Sequence, residues 1–231
     1  MNALPKVAVN FAITWDGRVS TRKRTRADFS SPQDKHRLLE IRAGGDALLV
    51  GGATLETDAM RMGLPDEALR ASRVRRGMPP YPIRVIASNS GRIDPAWPVF
   101  SLDVSPILIF STRRMPPATQ AALKKKAALH LAGSREVDLR EMLATLRRDY
   151  AVRRVICEGG PRLFRSLLER DLVDELNVTY CPRIFGGAGA PTLTGCAGNF
   201  LSSTRECRLQ RMKVIGEECF ATYRLKRDQK D

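Results

Sequence analysis

Short apolar runs of strand length alternate with helical stripes along most of this sequence, and that alternation leaves few architectures open. Strands are predicted over residues 6–14, 46–50, 83–87, 106–111, 155–157 and 174–180, with His130 in a shorter candidate. Helices separate them. Ser31 suits an N-cap, Pro32 the first helical position, and Gly44 a stop. A charged helix is predicted over residues 65–76, and Pro116-Pro117 opens another that reaches about residue 127. Asp138 and Glu141 have capping-box spacing ahead of the stripe Leu139, Met142, Leu143, Leu146 and Tyr150. Pro161 begins the last helix, with Leu163, Phe164, Leu167 and Leu168 on one side. Residues 209–215 and 219–225 read as two strands turning at Gly216. The expected fold is α/β: a mostly parallel central sheet, helices on both faces and an antiparallel C-terminal strand pair. No linker or repeat interrupts the pattern, so residues 1–231 are expected to form a single domain.

Composition narrows the function classes. No apolar run approaches the ~20 residues that cross a bilayer, so a cytoplasmic protein without a membrane partner is expected. The five cysteines include no C-x-x-C pair, and neither His36 nor His130 lies in a metal-ligand motif. Neither a metal site nor a disulfide framework is expected. H-x-E and P-C-x-x-C elements are missing, which excludes a zinc nucleoside deaminase domain within these residues. The net charge of +14 comes from 39 basic residues, 30 of them Arg. Arg18, Arg22, Lys23, Arg24 and Arg26 form one cluster, and the rest are scattered. Only 6% of residues are aromatic, and no stacking or helix-turn-helix signature accompanies the charge. A solvated basic surface that suits phosphorylated small molecules is favoured over a nucleic-acid partner.

In open α/β sheets ligands bind beyond the carboxyl ends of the strands. Three such ends carry suggestive residues: Val50-Gly51-Gly52-Ala53-Thr54 with Asp58, Ala87-Ser88-Asn89, and Cys157-Glu158-Gly159-Gly160-Pro161. Glycines admit a ligand close to the backbone, and the helix at Pro161 would turn free N–H groups toward a phosphate. Glu158 would stand at the mouth of that turn. Thr54 and Asp58 serve equally as helix caps, and Asp16-Gly17 reads as a turn. No G-x-G-x-x-G follows the first strand and no P-loop is present. Arg42 shares a helix side with Leu38 and Leu39, where a guanidinium can snorkel, support the helix end or hold an anion.

The ordered set Thr14-Trp15-Asp16-Gly17, Ser31-Pro32 to Arg42-Ala43, Asp46 to Thr54, Asp58, Arg84-Val85-Ile86-Ala87-Ser88, Val155 to Pro161 and Leu172 to Leu176 resembles the reductase domain of riboflavin biosynthesis. The resemblance implies a dihydrofolate-reductase-like fold and a homodimer. It also implies NADPH-dependent reduction of a phosphorylated ribosylaminopyrimidine, 5-amino-6-(5-phosphoribosylamino)uracil or its diaminopyrimidine analogue, to the ribityl compound. By the same resemblance Thr54, Asp58, Ser88, Gly159, Gly160, Pro161, Arg162, Leu163 and Phe164 would hold NADPH, and Ile13 would flank the nicotinamide. Arg42 and Glu158 would hold substrate, with Glu158 as the catalytic candidate. Arg26 matches a substrate-contact position and Asp28 a cofactor-contact position, each with a changed residue type. Arg162 and the cluster around Arg22 to Arg26 are the candidates for the cofactor's 2′-phosphate.

After Asp58 the family often continues with a second Asp, Pro, Leu and an Arg, where this chain has Ala59-Met60-Arg61-Met62-Gly63-Leu64. That departure keeps open a reductase of the same fold with a different carbonyl or imine substrate. Asp171 stands where a Gly is common, and Asp tolerates the left-handed conformation such a position demands.

Overall fold

The structure, a computed structural model, describes residues 3–21, 29–195, 201 and 203–226. Arg22, Lys23, Arg24, Arg26, Asp28 and Cys196 lie outside the described residues. The chain divides into two compact units, one of residues 1–5 and 39–156, the other of residues 6–38 and 157–231.

The first unit carries β2 (Ala47–Gly51), β3 (Ile83–Ser88), β4 (Ile107–Ser111), β5 (Ala128–Leu131) and β6 (Arg154–Cys157), in the order β5-β4-β3-β2-β6. The pairs β2–β3, β3–β4 and β4–β5 are parallel, with Gly51 level with Ala87 and Ser88 level with Ser111. Leu48, Leu49, Val50, Val85, Ile86, Leu108 and Ile109 are buried, the continuous apolar run expected of parallel strands covered on both faces. Its helices are α2 (Gly52–Asp58), α3 (Glu67–Arg75), α4 (Pro117–Leu123) and α5 (Leu139–Tyr150), with a 3-10 turn at Pro98–Ser101. Asp66 caps α3 through Leu69 N, and Asp138 caps α5 through Arg140 N and Glu141 N. The Glu141 carboxylate lies instead near Thr145 and Arg148, farther along its own helix.

Two arginines of this unit, Arg73 and Arg84, are fully buried. Arg73 donates to the carbonyls of Ala43, Gly45 and Pro79, and Arg84 to those of Val99 and Ser105. Backbone carbonyls solvate both guanidiniums, which offsets the cost of burying charge. Asp46 does the reverse, accepting from Arg153 N at 2.8 Å and Arg154 N at 2.9 Å.

The second unit carries β1 (Lys6–Thr14), β7 (Glu175–Cys181), β9 (Glu218–Leu225) and β8 (Cys207–Ile215), in the order β1-β7-β9-β8. Here β1–β7 is parallel, while β7–β9 and β8–β9 are antiparallel, the expected C-terminal pair. The helix α1 (Pro32–Ala43) contains the division between the units, and α6 (Pro161–Glu169) follows β6. Ser31 Oγ accepts from Asp34 N at 3.1 Å, the N-cap read from the sequence. Asp171 sits at φ +52°, the left-handed conformation expected of it. Predicted and observed ends differ modestly: the charged helix begins at Glu67 because Asp66 caps it, and α4 stops at Leu123. No helix among the described residues is long and apolar enough to cross a membrane.

Candidate functional site

In the first unit the carboxyl ends of β3 and β4 are joined by side-chain hydrogen bonds, and the end of β2 packs closely on β3. Gly51 ends β2 and Gly52 begins α2 directly, with Gly51 extended at φ −79° and no side-chain cap. A Cβ on Gly52 would lie 3.2 Å from Ser88 Oγ and 3.3 Å from Ser88 Cβ, so glycine is what lets α2 start against β3. Ser88 is buried, and its Oγ accepts from Gly91 N at 3.2 Å. Ser111 Oγ donates to Ser88 O at 2.6 Å, and Thr112 Oγ1 to Asn89 O at 2.8 Å. Thr54 lies in the first turn of α2 and Asp58 at its last residue, both half-buried. Asp58 is therefore at the wrong end of α2 to cap its N-terminus.

Arg42, in the last turn of α1, is buried and donates Nη1 to Gly63 O at 2.7 Å. That carbonyl belongs to the run in which the sequence departs from the family. Ala59 at φ +48° and Met62 at φ +54° turn the backbone there, and the Met62 and Leu64 side chains are buried. The departing residues thus form a packed turn that anchors Arg42.

In the second unit the turn after β6 is built on Gly159 and Gly160. Gly159 is buried at φ +94°, and a Cβ there would sit 3.3 Å from Phe11 Cε1. The Gly159–Gly160 peptide is cis. Gly160 is the N-cap of α6, Pro161 follows it, and no side chain caps the helix. Pro161 brings no N–H, so the uncapped donors of this first turn are backbone N–H groups at an electropositive end. Phe164 is buried and packs on Phe11 with ring centroids 5.3 Å apart. Ile13, two residues beyond Phe11 on the same side of β1, is also buried. Glu158 and Leu163 are half-buried and Arg162 is exposed. Burial pushes the adjacent Cys157 thiol up to about 12, which leaves it un-ionised and unreactive.

The sequence-predicted residues therefore fall into local groups: Gly52 with Ser88, Arg42 with the departing turn, and Gly159 to Phe164 with β1. Phe11 was missed, although its spacing from Ile13 was the available signal. A family model, the RibD C-terminal domain, matches residues 5–220. The chain belongs to that family.

As a RibD C-terminal domain it is 32% identical over 223 residues to the 2,5-diamino-6-ribosylamino-4(3H)-pyrimidinone 5′-phosphate reductase of Archaeoglobus fulgidus, covering 96% of this chain and 99% of that protein. A solved structure of a pyrimidine reductase-like protein from Corynebacterium diphtheriae aligns with a TM-score of 0.83 at 20% identity, over 97% of this chain and 93% of the other. A dihydrofolate reductase from Enterococcus faecalis aligns at 0.51 and 15% identity, over 96% and 99%. The resemblance read from the ordered motifs and the dihydrofolate-reductase-like fold are both borne out.

Proposed function

We propose that this RibD C-terminal domain is a reductase of riboflavin biosynthesis that converts the ribosyl group of 2,5-diamino-6-ribosylamino-4(3H)-pyrimidinone 5′-phosphate, or the corresponding uracil, to ribityl at the expense of NADPH. The observation that carries the reading is the 32% identity to a reductase of that name across 99% of its length. An α6 N-terminus that begins at Gly160, with no side chain on its cap residue, suits a phosphate. When bound, NADPH supplies the hydride.

The chain's own residues bind and orient. The α6 N–H groups of Arg162 and Leu163 receive phosphate oxygens, and Ser88, Thr54 and Asp58 contribute polar contacts to the cofactor. Ile13 flanks the nicotinamide. Arg42, held at Nη1 by Gly63, recognises the anionic substrate, and Glu158 accepts from substrate donors and orients them. Arg26 and Asp28 complete the contacts the resemblance assigns. We further propose that the chain acts as one reductase domain within a homodimer, which sedimentation at micromolar concentration tests.

The deciding assay is NADPH oxidation with the phosphorylated ribosylaminopyrimidine, NADH as control and mass detection of the ribityl product. Product formed with NADPH and much less with NADH is the expected result. NADPH binding without product would overturn the substrate and favour another small carbonyl or imine, the reading that the Met60 to Gly63 departure motivates.

A further inference from the structure

The turn at Asp16-Gly17 is used by none of the roles above, yet the Asp16 carboxylate does more than close it. It accepts from Thr14 Oγ1 at 2.6 Å, Phe185 N at 3.1 Å and Gly186 N at 2.8 Å. The Thr14 bond, helped by the two backbone N–H groups, holds its pKa down at about 2, so the acceptor is ionised under any working condition. Neighbouring bonds extend the same frame. Trp15 N donates to Arg183 O at 2.8 Å, Arg18 Nη1 to Ala190 O at 2.8 Å, and Val19 N to Pro191 O at 2.9 Å. The loops that leave β1 and β7 are thereby tied together at the carboxyl ends of two parallel strands, three residues beyond Ile13.

This frame displays apolar side chains to solvent. Trp15 is 70% exposed, Ile184 74% and Phe185 37%. The rings are nonetheless supported: Trp15 packs edge-on against Tyr180 at 6.1 Å, and Phe29 against Phe185 at 5.3 Å. Exposed aromatic surface on tied loops, at the ligand end of parallel strands, is surface built to be covered. Its chemistry favours a flat heteroaromatic ring with an anionic tail. The rings offer stacking faces, and the exposed Arg183 beside Ile184 attracts phosphate.

We propose that Asp16 is a positioning residue: by tying the loops after β1 and β7 it sets the Trp15 and Phe185 rings against which the substrate's pyrimidine stacks. The proposal rests on the reductase reading above. Asp16 itself touches neither substrate nor cofactor.

The test uses the full chain carrying Trp97→Phe, which leaves Trp15 as its single tryptophan. The phosphorylated ribosylaminopyrimidine, added without NADPH, should change Trp15 emission saturably. Asp16→Ala should weaken that binding and raise KM about tenfold or more, as misplacement of a positioning group does, with a smaller loss in kcat. NADPH affinity and Tm should stay near wild type, and Asp16→Asn, which keeps one acceptor oxygen, should recover part of the loss. Trp15→Ala should raise KM without disturbing the frame, and it keeps the idea testable if Asp16→Ala does not fold. An unchanged KM in Asp16→Ala, or equal losses in KM, NADPH affinity and Tm, would overturn the proposal. So would Trp15 emission that follows protein concentration and ignores the pyrimidine, because a second copy would then be the cover. A wild-type chain that neither binds nor reduces the pyrimidine removes the reductase reading, and the stacking partner with it. A wild type that turns over and is indifferent to Asp16→Ala removes the Asp16 role alone.

Discussion

Gly51-Gly52 and Gly159-Gly160 look alike in the sequence, each a glycine pair after an apolar strand, and a helix follows each in the structure, but the structure uses them differently. Gly52 is a matter of space: its Cα is helical, and a Cβ there would press on Ser88 at 3.2–3.3 Å. Gly159 is needed for conformation: φ +94° is a region that side-chain-bearing residues rarely adopt, and Phe11 stands close besides. The partners Gly51 and Gly160 are both extended, at φ −79° and −83°, which any residue reaches. A steric glycine can be relieved by changing its neighbour, whereas a conformational one cannot. That difference can be measured.

The largest effect is expected at Gly159. Gly159→Ala should lower stability by about 2 kcal/mol or more, because backbone strain of that order adds to the Phe11 contact. For a chain of this length that is a fall in Tm of roughly 4–8 °C. NADPH affinity should fall with it, since the turn sets where α6 begins. Adding Phe11→Ala should not rescue the variant, because it leaves φ unchanged and opens a cavity against Phe164. A Gly159→Ala chain as stable as wild type would show that the turn adapts, and the contrast with Gly52 would collapse.

Gly52→Ala should cost about 1 kcal/mol, the low end of overpacking, because Ser88 must give by a few tenths of an ångström and alanine favours the helix. Here relief is expected. In Gly52→Ala with Ser88→Gly, thermal melts should show a smaller loss than the two single variants sum to, the coupling that contact demands. Strict additivity would place the strain elsewhere.

A third measurement contrasts glycine-led helices with side-chain-capped ones. Asp138→Ala removes the acceptor for Arg140 N and Glu141 N at the start of α5 and should cost about 1 kcal/mol. Turnover and NADPH affinity should be unchanged, because no role in the site falls on α5. The N-cap of α6 is Gly160, which has no side chain to remove. If Asp138→Ala weakens NADPH binding as Gly159→Ala does, the distinction between capped and uncapped starts fails.

Much of this was legible in the sequence, for local reasons. Ser31, Asp138 and Pro161 marked helix starts because capping acts within three residues. The runs that became β2, β3 and β4 announced a parallel sheet because both of their faces are covered. The short helix α2 was not predicted, since GATLETD has neither a cap nor a stripe. The buried Arg73 and Arg84 were read with the solvated charge, because the carbonyls that solvate them are assembled by turns elsewhere in the chain. The Gly63 carbonyl that accepts from Arg42 lies 21 residues away, and the two backbone N–H groups that donate to Asp16 from the second loop lie 169 and 170 away. The two glycine pairs could not be told apart, because a glycine's conformation is set by what packs around it.

The smallest effect separates strain from titration. His130 stacks on Phe110 with centroids 4.5 Å apart and has Nε2 at 2.9 Å from Tyr150 OH. Burial lowers its pKa below the ordinary 6.5, with Asp149 opposing weakly. As pH falls, the unfolded chain takes up this proton before the folded chain does. The stabilisation from a neutral His130 is therefore fully present above pH 6.5 and is lost as pH falls through the lower folded-state value. Melts of wild type between pH 7 and 5 should contain this decline, and His130→Phe should flatten it, since phenylalanine keeps the stacking and takes no proton. Gly159→Ala and Gly52→Ala change no charge, so their curves should run parallel to wild type with a constant offset. A glycine offset that varies over that range would mean that the turn variants disturb a titrating group, and the division between steric and conformational glycine would then be incomplete.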